Sequence, residues 1–189
     1  FSHLLVSPFY LRRKLTKLVD NEIRNARKGK EASILLKMNS LMDKDLIDKL
    51  YEASSAGVRI RMIVRGICSL VPGIKGISEN ISIVSIVDRF LEHSRIFIFH
   101  NGGEELYYIS SADWMTRNLD RRVEVVCPIY DRTIKKELMD FLDLQFRDNT
   151  KAREINESQN NHYVKSKPDD QKVRAQFDHY EYLKNKLIH

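Results

Sequence analysis

His93 and Arg95 stand two residues apart at the mouth of the apolar run 96–99. After the next apolar run, 106–109, comes a small hydroxyl-rich turn, Ser110-Ser111-Ala112, followed by Asp113 and Trp114. A titratable imidazole, a permanent guanidinium charge and clustered hydroxyls are groups that phosphoryl chemistry uses. Side chains i and i+2 of a strand share a face. The spacing predicts that His93 and Arg95 address one ligand, on condition that the strand begins as early as residue 93. Glu92 faces the other way. A histidine beside an apolar run is as a rule structural, so the pair alone is a weak signal.

Other arginines offer the same chemistry. Arg65 closes the alternating run 58–65 just before Gly66. Ligands of sheet proteins gather at strand ends, and a guanidinium there can grip phosphate through two parallel bonds. Arg121 and Arg122 open the run 121–127, where adjacent residues face opposite sides. If Val123 and Val125 share a face, Arg121 joins them and Arg122 pairs with Glu124, a possible orienting carboxylate. For each arginine the bland reading is a solvated cation at a strand end. Lys37, Asn39 and Ser40 end another strand and can line the same rim. Asp113 and Asn118 suit the holding of backbone turns, and Trp114 a core anchor. The cluster Lys172 to Arg174 can touch an anionic chain, but a solvated helix face is its default.

These residues need a scaffold, and the hydrophobic periodicity supplies one. Leu11, Leu15, Leu18, Val19, Ile23 and Ala26 recur at helical spacing over 10–28, ending near Gly29. Asp43 can cap a second helix with Leu46, Ile47, Leu50 and Tyr51 inward, stopped before Gly57. Asp131 opens a third with Ile134, Leu138, Phe141 and Leu142 on one face. Strands are expected at 33–38, 58–65, 81–87, 96–99, 106–109 and 121–127. Asn101-Gly102-Gly103 marks a hairpin, because Asn and Gly accept positive φ. The order predicts an α/β fold, a mixed sheet covered by helices. Past residue 150 the composition turns polar, which reads as surface loop, before a helix over 173–187 carrying Phe177, Tyr180 and Leu183 inward.

Taken in order, the blocks 37–41, 64–70, 77–81, 89–95, 110–118 and 172–176 resemble those of the bacterial polyphosphate kinases, and the likeness runs nearly end to end. The 93–95 block also resembles the second H-x-K motif of the phospholipase D superfamily, with Arg95 in place of lysine and His100 where that motif has aspartate. The resemblance implies a phospholipase D-like mixed sheet flanked by helices, with a C-terminal helical appendage. It implies a catalytic domain over 1–150, with a polar loop and helix of 151–189 packed on it. It implies reversible transfer of the γ-phosphate of ATP to inorganic polyphosphate, through a phosphohistidine in the preceding domain of a longer chain. His93 would then act opposite that nucleophile, and Arg65 and Arg122 would hold phosphate. His3, His100, His162, His179 and His189 lack the surrounding motif.

Charge and composition bound the partners. The 189 residues carry a formal charge of +6, which favours anionic partners of any kind. The expected partners are ATP or ADP, polyphosphate, the preceding domains and further copies of the full-length chain, with no nucleic acid. Magnesium (Mg2+) is expected to arrive on phosphate oxygens, since no carboxylate pair has metal-site spacing and no Gly-rich phosphate loop occurs. Cys68 and Cys127 make neither a disulfide framework nor a zinc site. Without a visible signal peptide or membrane span, the chain reads as a piece of a longer cytoplasmic protein, for which a peripheral place at the inner membrane stays open. The rival readings are a phospholipase D-like phosphodiesterase or nuclease fragment and a non-catalytic polyanion-binding module. The Arg95 and His100 departures, with the 64–68 and 111–114 blocks, speak against the first.

Overall fold

The structure, a computed structural model, describes residues 3–167 and 169–187. Helix α1 (Leu11–Arg27) buries Leu11, Leu15, Leu18, Val19 and Ile23 along one stripe. Helix α2 (Lys44–Ser55) starts where the Asp43 carboxylate accepts from Leu46 N, and buries Leu46, Ile47 and Leu50. Burying a side chain of this size stabilises by about 1.5–3 kcal/mol. These two faces, not helix propensity, therefore hold the helices in place. Both pack on one side of the sheet, against Ile34, Leu36, Ile60, Met62, Phe97 and Phe99.

The sheet has eight strands: β1 (Leu5–Ser7), β2 (Ser33–Met38), β3 (Arg59–Val64), β4 (Ile81–Ile86), β5 (Ile96–Phe99), β6 (Leu106–Ser110), β7 (Glu124–Ile129) and β8 (Ala152–Ile155). Their order is β1-β7-β6-β5-β2-β3-β4-β8. β2, β3 and β4 run parallel, and the remaining pairings are antiparallel. This is the mixed sheet that the sequence predicts. The β5–β6 turn uses Asn101, Gly102 and Gly103 at φ of 50°, 69° and 102°, the left-handed geometry that the Asn-Gly-Gly signal calls for.

Helix α4 (Arg132–Phe146) covers the other side of the sheet, where Leu142 meets Ile63, Ile96, Ile98 and Tyr107. Its Asp131 cap accepts from Thr133 N and Ile134 N. Ile134, expected inward, is 47% exposed, because Lys135 takes the place over the Tyr107 ring instead. Helix α5 (Ala175–Leu187) departs further. Phe177, Tyr180 and Leu183 are exposed, and the seat on α4 is made by His179 against Phe141 and by Tyr182 donating to Asp140 Oδ2 at 2.8 Å. A polar seat turned the helix away from its apolar stripe.

Three elements carried too little local signal to be anticipated: β1, the short helix α3 (Thr116–Asp120) and β8. β8 lies in a polar stretch but adds a sheet edge through backbone pairing with β4. β7 starts later than expected, because Arg121 N and Arg122 N both donate to Arg117 O and complete the turn of α3. Among the described residues no helix is long and apolar enough to cross a membrane.

Candidate functional site

Register alone gathers the candidate residues at one end of the sheet. Met38 lies beside Val64 in the parallel pair, so Asn39 and Arg65 leave β2 and β3 side by side. Lys37 faces Ile96, which brings residues 93–95 to this end. Ile96 faces Ile109, and Ile109 faces Cys127, so Ser110, Ser111 and the approach to β7 follow. At about 4.8 Å per strand step, β5 stands roughly 10 Å from β3, and β7 about 19 Å. The rim is a row of groups, not a point.

At the β3 end, Arg65 donates from Nε to Asn39 Oδ1 at 2.8 Å. Gly66 passes so close to β2 that a Cβ there would stand 2.9 Å from the Asn39 carbonyl oxygen. The terminal nitrogens of Arg65 have no partner among the described residues, nor does the buried Nδ2 of Asn39. A cavity of about 320 Å³ opens here, shared by Arg65, Ser85, Val87 and Arg153. A larger one of about 480 Å³ sits along β4 and β8 and touches none of the candidate residues.

At the β5 end, the expectation for His93 and Arg95 needs correcting. The strand begins at Ile96, so the two do not share a strand face. His93 is exposed, whereas Arg95 is buried and turned inward. Arg95 grips Asp113 in a bidentate pair, at 3.1 and 2.9 Å. Its Nη1 donates to the His93 carbonyl at 2.9 Å. Its terminal nitrogens lie 3.0 and 3.3 Å from the two ring nitrogens. A neutral imidazole has one acceptor and arginine has none, so at most one of these is a hydrogen bond. The pair reads as a flat guanidinium set against the ring. Arg95 therefore holds His93 instead of reaching for a ligand itself.

Asp113 joins the two ends. Its Oδ1 also accepts from the backbone of Asn39 and Ser40, at 2.8 and 3.2 Å. Burial pushes its carboxyl up, but the bonds from Arg95 and the backbone outweigh this and hold it below the usual range. Its expected role, holding a turn, covers only part of what it does. Trp114 is fully buried, edge-on to Phe97, as a core anchor should be.

Other expectations shift. Lys37 does not line the rim surface. It is buried under Glu92 at 2.7 Å and Gln145 at 2.8 Å, and burial pushes its ammonium pKa down despite Glu92. Glu92 in turn would be pushed up by burial, yet the charge of Lys37 holds it low. Arg174 is not a solvated cation. It forms a bidentate pair with Asp88 at 2.8 and 2.7 Å. Arg122 lies in a turn, not on a strand, with its backbone fixed by Ser7 Oγ donating to its carbonyl at 2.8 Å. Glu124 does not pair with it, because Ser111 Oγ and Asn118 Nδ2 donate to that buried carboxylate.

The charges sort by direction. Asp88, Glu92 and Asp113 are each taken up by a cation of the fold, and Glu124 by hydroxyl and amide donors. Arg89, Arg121 and Arg122 are exposed and have no carboxylate partner among the described residues. The other histidines stand apart. His3 contacts Tyr130 and His100 lies near Glu31, both at the far end of the sheet; His162 is exposed beside β8, where its carbonyl accepts from Glu154 N, His179 fills the α4–α5 seam and His189 lies outside the described residues. Sequence reasoning gave Glu92, Asp113 and Arg174 other parts (a residue facing away, a turn holder, a solvated or anion-touching cation) and assigned Gln176 none. The blocks 110–118 and 172–176 marked Asp113, Arg174 and Gln176 by resemblance, but no local signal tells what each of them holds.

Known proteins resemble this chain in sequence and fold. The family model of the polyphosphate kinase C-terminal domain 2 matches residues 4–176. The polyphosphate kinase of Vibrio vulnificus is 56% identical over 98% of this chain, and that of Escherichia coli K12 is 50% identical over the same share. The chain spans about a quarter of the length of these curated relatives, 26% and 27%. The crystal structure of polyphosphate kinase from Porphyromonas gingivalis superposes with a TM-score of 0.94 at 52% identity, covering 98% of this chain and 28% of that one. Nuc from Salmonella typhimurium, a phospholipase D family member, matches 81% of this chain and 96% of its own with a TM-score of 0.58. At 13% identity that likeness speaks for the fold alone. With one sheet, one rim and a family match over nearly all its length, the chain belongs to the polyphosphate kinases, as their second C-terminal domain.

Proposed function

We propose that this chain supplies one side of the active site of a polyphosphate kinase, which reversibly transfers the γ-phosphoryl group of ATP to inorganic polyphosphate. The attacking histidine belongs to the preceding domain of the longer chain, and His93 faces it across the transferred group. The observation that carries this reading is the exposed His93 ring, backed by the Arg95–Asp113 pair on a rim whose acids are neutralised within the fold. An imidazole so held can protonate a leaving oxygen or hydrogen-bond to it as charge develops. Arg65 and Arg122 would bind phosphate. The strands that lead to them stand about 19 Å apart in the strand order, which suits an elongated anion with the two gripping different phosphates. Full-length copies would assemble as a homo-oligomer.

The residues present do not fit a resident magnesium ion. The described residues hold no cluster of three or more metal-ligating side chains, and Asp88, Glu92 and Asp113 at the rim are already paired with cations. Magnesium would enter as part of the nucleotide substrate, on its phosphate oxygens.

The test is His93→Ala in the full-length enzyme, assayed for polyphosphate synthesis and nucleotide binding. Transfer should fall by about 10²–10⁴, the usual worth of acid–base assistance, with ATP binding largely kept. Turnover above about half of wild type, far outside that range, would leave His93 with a structural role only.

A further inference from the structure

We propose that Arg174 and Gln176, at the start of α5, are positioning residues for His93. They grip the segment 88–93 and decide which of its side chains face the site. The proposal rests on the reading of His93 given above.

The segment between β4 and β5 has no regular secondary structure of its own from 87 to 95. What fixes it is a set of polar grips at every second residue. Asp88 is held by the bidentate Arg174 pair. Phe90 is held through its backbone: Gln176 Oε1 accepts from Phe90 N at 2.9 Å, while Nε2 donates to Phe90 O at 2.8 Å. One amide thus stands in for a neighbouring strand. Glu92 takes a third bond from Gln176 Nε2, at 3.0 Å, besides those from Lys37 and Gln145. The side chains of Arg89, Phe90, Leu91 and His93 are exposed, so Phe90 is gripped by its backbone alone.

The grip is itself anchored. The buried Asp148 carboxylate accepts from Ala175 N at 2.8 Å and from the backbone of 150–152. Asn149 pairs with Val173 through both its amide oxygen and its backbone N–H. The start of α5 is thereby fastened to the end of α4, and α4 to the core through Leu142. A rigid path runs from the core to the backbone beside His93.

The test uses the full-length enzyme with Gln176→Ala, Arg174→Asp, Asp88→Arg, the reversed pair, and His93→Ala as reference. Gln176→Ala and Arg174→Asp should each lower kcat by about 10- to 100-fold, the effect of small misplacements at a reacting centre. KM for ATP should stay within about twofold, because only the transition state is affected. Amide exchange should rise in 88–93 while β2 and β3 keep their protection. The reversed pair should recover part of the loss. On a His93→Ala background, Gln176→Ala should cost nothing more, since it acts through that ring. The proposal fails if kcat of Gln176→Ala stays within about twofold of wild type, or if its loss is undiminished without His93. His93→Ala retaining normal turnover would sink the reading of His93 itself. Gln176→Ala removes three bonds from a partly exposed side chain, so it remains testable should Arg174→Asp fail to fold.

Discussion

Arg65 and His93 share one rim but are held there by opposite means. Arg65 follows directly on β3, whose neighbours on both sides are parallel strands. Its position is a by-product of the sheet, set by backbone pairing and by the tight passage of Gly66 against Asn39. His93 sits on a segment outside the sheet, held by ion pairs and amide bonds to residues up to 86 positions away. On the reading proposed for the rim, the charge-binding group rides on the sheet itself. The group that would meet a reacting atom has a separate mount of its own, built from directional bonds.

The harshest way to test that contrast is to remove the one residue common to both ends. Asp113→Ala leaves Arg95 buried without its partner and strips an acceptor from Asn39 and Ser40. It should destabilise by about 3–5 kcal/mol, read from the denaturant midpoint. A loss under about 1 kcal/mol would mean that water replaces the pair. Gly66→Ala strikes the Arg65 side first, since its Cβ would meet the backbone carbonyl of Asn39, a residue that Asp113 links to the other end. A cost of about 1–3 kcal/mol is expected, with nucleotide affinity weakened and the His93 signals shifted less by NMR than in Asp113→Ala.

Acid should strike the other side. Asp88 is held below its ordinary 3.8 by Arg174. Glu92 is held below 4.5 because Lys37 outweighs its burial. A depressed carboxyl stabilises the fold above its unfolded value, and that contribution is lost as pH falls through the folded one. Amide protection of 88–93 should therefore hold above about pH 4.5 and fade below about 3.8, ahead of β2 and β3. Simultaneous loss in both would erase the contrast. The smallest effect belongs to Tyr180→Ser on the outward face of α5, at less than about 0.5 kcal/mol. A cost above about 1 kcal/mol would restore the inward apolar stripe that periodicity predicts for that helix.

The legible parts were those whose cause is local. Stripes such as Leu11, Leu15 and Leu18, caps such as Asp43 and Asp131, and the Asn101–Gly103 turn each follow from neighbouring residues, and the structure has them. Arg65 at a strand end was readable for the same reason. Long-range pairings were not. Nothing near Arg174 announces Asp88, and nothing near Arg95 tells whether it will face a ligand or Asp113. The α5 face was misread because Tyr182 and His179 seat it on Asp140 and Phe141 by polar and ring contacts that hydrophobic periodicity does not register.

The polar grips along 88–93 have a consequence for how this segment can change length. Gln176 bonds the Phe90 backbone and Glu92 at once, while Arg174 holds Asp88. An insertion or deletion between Asp88 and Glu92 therefore pulls at least one of them off its holder, whereas one just after β4, ahead of Asp88, alters only the slack. Among natural or engineered relatives, then, the span from β4 to Asp88 is free to vary, and a change between Asp88 and Glu92 forces the fastening residues of α5 to be rebuilt with it.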